Sequence, residues 1–425
     1  MLTYPLAQSA SMIPQILQQH AEDAALLYAT RASLANGAHV RLKHIRRFDD
    51  RVVAHLDGLD IAGEGGWPII DEMLAKPSLG AIFTATVSAI QGKAAERLDR
   101  LYALVESVPE VQSGLIAAFS WVEQDHLRGV VTGLLSSQSA FLRKLGIAAC
   151  AAHRVDPGKA RDAAIEGSSI ALRARAVRAC GELGRRDLLP ACENLLSDQD
   201  PACRFWAGWS SVLLGNRGAA LRALQIIGNS TDRFRPRAFR LALQSMDTDA
   251  SSAWLRHLAQ QPDNLRWLIQ GSGVAGDPIY IPWLIEHMTE LKTARSAGEA
   301  FSLITGLDLA YLDLDQKPPE QPVAGPNDDP NDPNVAMDPD DGLPWPDPVR
   351  ITRWWQGNGS RFQPGTRYFM GALPTREHCL RILREGFQRQ RILAAHYLCL
   401  LTPGTPLFEW RAPAQRQQRL LATME

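Results

Sequence analysis

Four titratable residues near the start of the chain have side chains that could do chemistry together: His20, Glu22, His55 and Asp57. Imidazoles and carboxylates brought together across two helices are what a metal centre or an acid–base site requires. Geometry opposes either pair acting alone, since residues two apart on a helix point to different faces. The sequence therefore assigns no metal, no cofactor and no catalytic group here. A second set is built from arginine and tryptophan: Arg173, Arg204, Trp206, Trp209, Arg237, Arg266 and Trp267. Guanidinium forks and indole rings suit a face that grips phosphates, or one that anchors a protein partner. A third set, Trp354, Trp355, Arg367 and Tyr368, uses the residue types enriched among interface hot spots. The plainer use of those rings is to cover an apolar edge of the fold. Motifs for nucleophilic or phosphate chemistry are missing, with no G-x-S-x-G and no G-x-x-x-x-G-K-[ST]. AGEGGW, from Ala62, is glycine-rich but follows no strand pattern, so it reads as a connection between helices.

Charge narrows the choice among these uses. Lys plus Arg is 45 and Asp plus Glu is 46, for a formal net charge of −1. Affinity for polyanions comes from summed phosphate contacts, so this balance argues against nucleic acid as the main partner. Instead, the arginines are expected to hold backbone carbonyls or neighbouring carboxylates, and the tryptophans to fill gaps between helices. The six cysteines (Cys150, Cys180, Cys192, Cys203, Cys379, Cys399) contain no C-x-x-C pair and sit in apolar helical patterns, which suits a reducing compartment. The first residues lack the cationic-then-apolar order of a signal peptide, and no apolar run approaches the roughly 20 residues needed to span a bilayer. These features predict a soluble, cytoplasmic protein without membrane contact.

The elements that must position these residues read as helices throughout. Apolar residues at Ile13, Ile16, Leu17, Ala24, Leu27 and Leu34 predict a first helix, with Ser11 as cap and Pro14 in its first turn. A second helix is expected from Asp49 or Asp50 to Leu56, closed by Gly58. Beyond it, short helical patterns alternate with Gly, Pro, Asp and Ser.

Residues 139 to 305 repeat. SAFLRKLGIAACAA, SIALRARAVRACGEL, DPACRFWAGWSSVLL, RPRAFRLALQS and DNLRWLIQGSGVAG align so that Arg143, Arg173, Arg204, Arg237 and Arg266 fall at one position. A recurrence every ~31 residues marks a helical repeat array. In one full unit Gly184 can close a helix, Asp187 can cap the next and Pro190 fits its first turn. Asp200 and Pro201 then restart the chain as N-cap and first helical residue. Two helices of roughly 12 residues fill the period, and neither can bury its apolar stripe without neighbours.

The Gly184–Asp187–Pro190 lead-in and the Asp200–Pro201–Arg204 start resemble HEAT repeats, and GDPIYIPWL, from Gly276, repeats the lead-in. The resemblance implies an all-α solenoid of stacked helix pairs. We place an N-terminal helical region at 1–93 and the repeats at 94–312. An acidic, proline-rich linker or loop follows at 313–350, then a C-terminal segment at 351–425. The 313–350 stretch holds ten prolines and lacks the D-x-D-x-D-G register of a calcium loop. Past it, Leu380, Leu383, Phe387, Arg391 and Ala394 keep helical spacing. QRQRILAAH, from Gln388, overlays LRARAVRAC, from Leu172, which predicts a further repeat helix.

HAEDAALLYATR (from His20), DDRVVAHLDGLDIAGEGGW (from Asp49) and FQPGTRYFMGALPTREHCLRILREGFQRQRILAAH (from Phe362) together resemble an uncharacterised family of bacterial HEAT-like proteins. Members are often encoded in type VI secretion gene clusters, beside spike-tip and effector-adaptor proteins. Tyr28 stands where that family usually has Trp, and Phe48 where it has Leu. The resemblance implies a non-enzymatic scaffold, an adaptor or chaperone-like partner for a secretion effector or spike-tip protein. An immunity protein neutralising a toxin is the nearest alternative. Among other HEAT-like proteins, iron hydroxylases use repeated His-Glu dipeptides, and none occurs here. DNA glycosylases with a basic Trp- and Arg-lined face give a third reading, through Arg204, Trp206, Trp209, Arg266 and Trp267.

Overall fold

The structure, a computed structural model, describes residues 13–320, 325 and 336–424. Ser11 and part of the acidic insertion lie outside them. The chain opens with α1 (Pro14–Leu34), α2 (Leu42–Ala62), α3 (Trp67–Leu74), α4 (Leu79–Gln91), α5 (Ala95–Ser107) and α6 (Gln112–Trp121). Next come α7 (Val130–Ser136), α8 (Ala140–Ala152), α9 (Lys159–Glu166), α10 (Ile170–Glu182), α11 (Leu189–Asn194) and α12 (Pro201–Leu213). The repeats continue through α13 (Ala219–Gly228), α14 (Arg235–Ser245), α15 (Thr248–Leu258), α16 (Leu265–Ala275), α17 (Ile281–His287) and α18 (Ala294–Thr305). After the insertion follow α19 (Pro348–Asn358), α20 (Arg376–Glu385), α21 (Gln388–Leu401) and α22 (Ala414–Thr423). Two short strands, β1 (Asp315–Gln316) and β2 (Trp345–Pro346), pair antiparallel and join the two ends of the insertion. The fold is all-α, as expected.

Contacts divide the described chain into two compact units. One holds residues 13–35, 42–172 and 411–420; the other holds 36–41, 173–410 and 421–424. In the first, α1 packs along α2 and α4, and α4 along α6, around Phe83, Val87, Leu115 and Phe119, all fully buried. The α2 helix is longer than the Asp49–Leu56 segment expected. Asp49 lies inside the helix, not at its cap, because its carboxylate has internal partners. Arg31 Nε donates to it at 2.7 Å, and so does the Ala414 amide at 2.6 Å. Gly58 is likewise internal. AGEGGW forms the expected connection, a 3-10 turn at Gly63–Gly66 between α2 and α3.

In the second unit the period is realised in helix pairs: α11 with α12, α13 with α14, α15 with α16 and α17 with α18. The arginine-bearing helices α12, α14 and α16 stack in turn, and α18 extends the stack. Gly184 has φ +67° and ends its helix as predicted. The following helix begins one residue later than expected, since Arg186–Leu188 is a 3-10 turn and Leu188, not Asp187, takes the N-cap position, with Pro190 in the first turn as predicted. Asp200 caps α12 through the Cys203 amide at 2.9 Å, with Pro201 in its first turn; such caps contribute about 1 kcal/mol. α12 is buried nearly all round, from Phe205 through Leu213. A helix of this kind is packed on more than one side, and the further cover comes from the C-terminus.

That cover corrects the expectation for GFQRQRILAAHYL. The helical spacing from Leu380 to Ala394 is broken at Gly386 and Phe387, so α20 and α21 form a hairpin. α21 packs against α12 and α14 as well as α20, so it crosses earlier repeats and is not the next repeat in the stack. Trp354 and Trp355 lie on a regular helix, α19, capped by Asp347.

Candidate partner-binding surface

The repeat arginines have internal work. Arg204 donates to the carbonyls of Asp198 and Gln199, both at 2.7 Å. Arg143 does the same in its own unit, to Ser137 at 2.8 Å and Gln138 at 3.1 Å. In both cases the acceptors lie six and five residues upstream, so each arginine ties down the turn that leads into its own helix. Arg173 pairs with Asp198 at 3.0 Å. Arg266 grips Asp340 with both terminal nitrogens, at 2.8 and 2.5 Å, which holds its pKa above the ordinary arginine value. Beside it Arg295 holds Asp338 at 2.5 Å. The returning end of the acidic insertion is thus clamped onto α16 and α18.

The tryptophans are equally committed. Trp206 is buried among Phe205, Trp209 and Phe234, with Arg178 over one ring at 4.4 Å and Arg237 at 5.7 Å. Trp267 meets Phe239 edge-on and lies under Arg235 at 4.2 Å. A base cannot stack on a ring that is already enclosed, so Arg204, Trp206 and Trp209 do not present a duplex-binding face.

The third set divides. Trp354, Trp355 and Tyr368 pack half-buried against the core around Phe301, Ile304 and Ile351, with Phe362 between the rings. They cover an apolar edge of the repeats. Arg367 is a staple: its guanidinium donates to the carbonyls of Ala275, Gln244 and Leu243 at 3.0, 2.7 and 2.9 Å, and to Ser251 Oγ at 3.2 Å. It satisfies the orphan carbonyls at the ends of α14 and α16 together. Nearby, Gln244 joins α14 to α21 by donating to the Leu393 carbonyl at 3.0 Å and contacting His396 Nδ1 at 3.1 Å. Burial, then the charges of Arg240 and Arg237, depress the His396 pKa to about 3.

The two arginines of α21 point apart, as two-residue spacing requires. Arg391 is fully buried and turns into the hairpin, onto the Leu383 carbonyl at 2.7 Å and Gln388 Oε1 at 2.9 Å. Arg389 reaches Glu299 of α18 at 2.9 Å. All six cysteines are buried, and burial pushes the Cys203 thiol up to about 11 and that of Cys379 up to about 12.

Open surface lies at the far end of the same unit. A groove of about 490 Å³ runs between α17 and α19, lined by Ile285, Pro348 and Val349 together with Glu286, Thr289 and Arg353. Val349 is 66% exposed. Sequence reasoning missed this groove because its two walls are separated in the chain by the acidic insertion. Of the four titratable residues considered together across two helices, the structure brings His20 and His55 together, with their Nδ1 atoms at 3.1 Å across α1 and α2. Glu22 instead accepts from Gln18 on the surface of α1. Among the described residues, no group of three or more His, Cys, Asp and Glu converges as a metal centre. No helix among them is long and apolar enough to cross a membrane.

A family model for HEAT repeats matches residues 159–244. The array is a HEAT-like solenoid. The matched stretch holds Arg173, Arg204 and Arg237, and so covers the clearest part of the ~31-residue period. A comparison with curated proteins returned no match.

Proposed function

We propose that this HEAT-like array is a non-enzymatic protein-binding scaffold, an adaptor or chaperone-like partner for a type VI secretion effector or spike-tip protein. HEAT repeats commonly mediate protein–protein interaction, and extended stacks of helix pairs offer long recognition surfaces. The observation that carries the reading is the contrast between occupied and open surface in one unit. The faces of α12, α14 and α16 are covered by the chain's own α21 and by the Arg367 loop. The groove between α17 and α19 keeps apolar and polar side chains side by side in solvent, a mixture that suits an interface. The secretion context rests on the three residue clusters around His20, Asp49 and Phe362.

The test is affinity purification of the intact chain from its native host, with mass spectrometry of what is bound. Recovery of an effector or spike-tip protein supports the reading. Binding of a toxin, with rescue of cells that express it, would make the protein an immunity factor. Recovery of no secretion component would sink the adaptor assignment.

A further inference from the structure

His20 and His55 are two titratable residues that the proposed function leaves unused. Their Nδ1 atoms lie 3.1 Å apart, with ring centroids at 5.2 Å and planes 64° from parallel. The two rings come from the tightly packed pair α1 and α2, so the backbone fixes their separation. On the far side of the His55 ring, Nε2 faces the Asp23 carboxylate at 3.8 Å. A carboxylate there favours the tautomer with hydrogen on Nε2, which leaves Nδ1 as a lone pair aimed at its neighbour. Two imidazole nitrogens that share a tetrahedral Zn2+ at 2.0–2.1 Å each lie about 3.3 Å apart, close to the observed separation.

Gly58 supplies an independent sign that this arrangement is accommodated. It sits inside α2, where glycine costs about 0.5–1 kcal/mol relative to alanine. A Cβ there would meet Cδ2 and Nε2 of His20 at 2.8 Å and Cε1 at 2.9 Å. A larger residue there would push the imidazole from its place beside His55.

We propose that His20 and His55 bind a divalent transition-metal ion through their Nδ1 atoms, with Asp23 as the orienting carboxylate behind His55. Water would complete the coordination, as His55 keeps about a fifth of its side chain exposed. Nitrogen donors select Zn2+, Ni2+ or Cu2+ over the oxygen-seeking Mg2+ and Ca2+. Each Nδ1 must present a lone pair to bind, so both rings ligate as neutral imidazoles with their hydrogen on Nε2.

The experiment is competition of the full-length protein with a chromophoric chelator for Zn2+, with Mg2+ as control. One Zn2+ per chain is expected, with His20→Ala and His55→Ala each weakening it at least tenfold and Asp23→Asn by about tenfold. Gly58→Ala should weaken it as well, although it removes no ligand and favours the helix. Stoichiometric binding that is unchanged in both histidine variants, or in Gly58→Ala, would overturn the assignment, as would no binding at all. Should the histidine variants fail to fold, the Zn2+ X-ray absorption spectrum of the wild-type protein decides: imidazole scattering from two ligands supports the site, and none refutes it.

Discussion

Two regions of the second unit use different residue types to opposite ends. Around α12, α14 and α16, arginines and aromatic rings are turned inward, onto carbonyls, carboxylates and each other. Between α17 and α19, aliphatic and polar side chains stay in solvent with a groove between them. Residue type alone would have ranked these regions the other way, since Arg and Trp are the favoured interface anchors. The difference lies in what the chain itself does afterwards: the segment from Phe362 to Leu401 returns over the first region and leaves the second open. A solenoid helix end carries unsatisfied carbonyls, and a returning arginine such as Arg367 satisfies them as well as a partner would.

The comparison can be broken from its strongest element downward. Arg367→Ala removes three donations to carbonyls and one to Ser251, so unfolding stability should fall by about 3 kcal/mol, measured by denaturant titration. A loss below about 0.5 kcal/mol would show that the loop does not hold α14 and α16. A second effect is pH-dependent and grows with the span of pH covered. His396 is held neutral in the fold, with a pKa of about 3 against an unfolded value near 6.5. A depressed histidine pKa means the unfolded chain takes up a proton that the native state refuses. This contribution is therefore fully present above pH 6.5 and is lost as pH falls from there toward 3, by about 1.4 kcal/mol per pH unit. His396→Gln should flatten that part of the stability profile. An unchanged slope would contradict the burial of His396 between α14 and α21. Smaller again, Arg204→Ala should cost about 1 kcal/mol, with no effect on partner capture, because its fork faces carbonyls.

Much of this was legible in the sequence wherever the cause was local. The ~31-residue recurrence, the Asp200–Pro201 start and the left-handed Gly184 follow from rules that operate within one turn of helix. For Arg204 and Trp206 net charge favoured an inward use, while their residue types made them candidate partner anchors. Long-range placement was not legible. Nothing in QRQRILAAH distinguishes a helix stacked next in line from one laid across α12 and α14, since both bury the same small residues. Asp49 carries a cap-forming side chain, yet Arg31 and the Ala414 amide, far apart in sequence, hold it inside a helix. His20 and His55 likewise meet only because α1 and α2 fold back on each other.

The smallest stability change belongs to the most informative position. Val349→Asp alters a side chain that is mostly in solvent, so stability should stay within about 0.5 kcal/mol. Capture of partners by this variant, compared with wild type and Arg204→Ala, tests the central claim most directly. The account predicts that wild type and Arg204→Ala recover the same secretion component and that Val349→Asp loses it at least tenfold. Undiminished capture by Val349→Asp, or loss with Arg204→Ala instead, would contradict it.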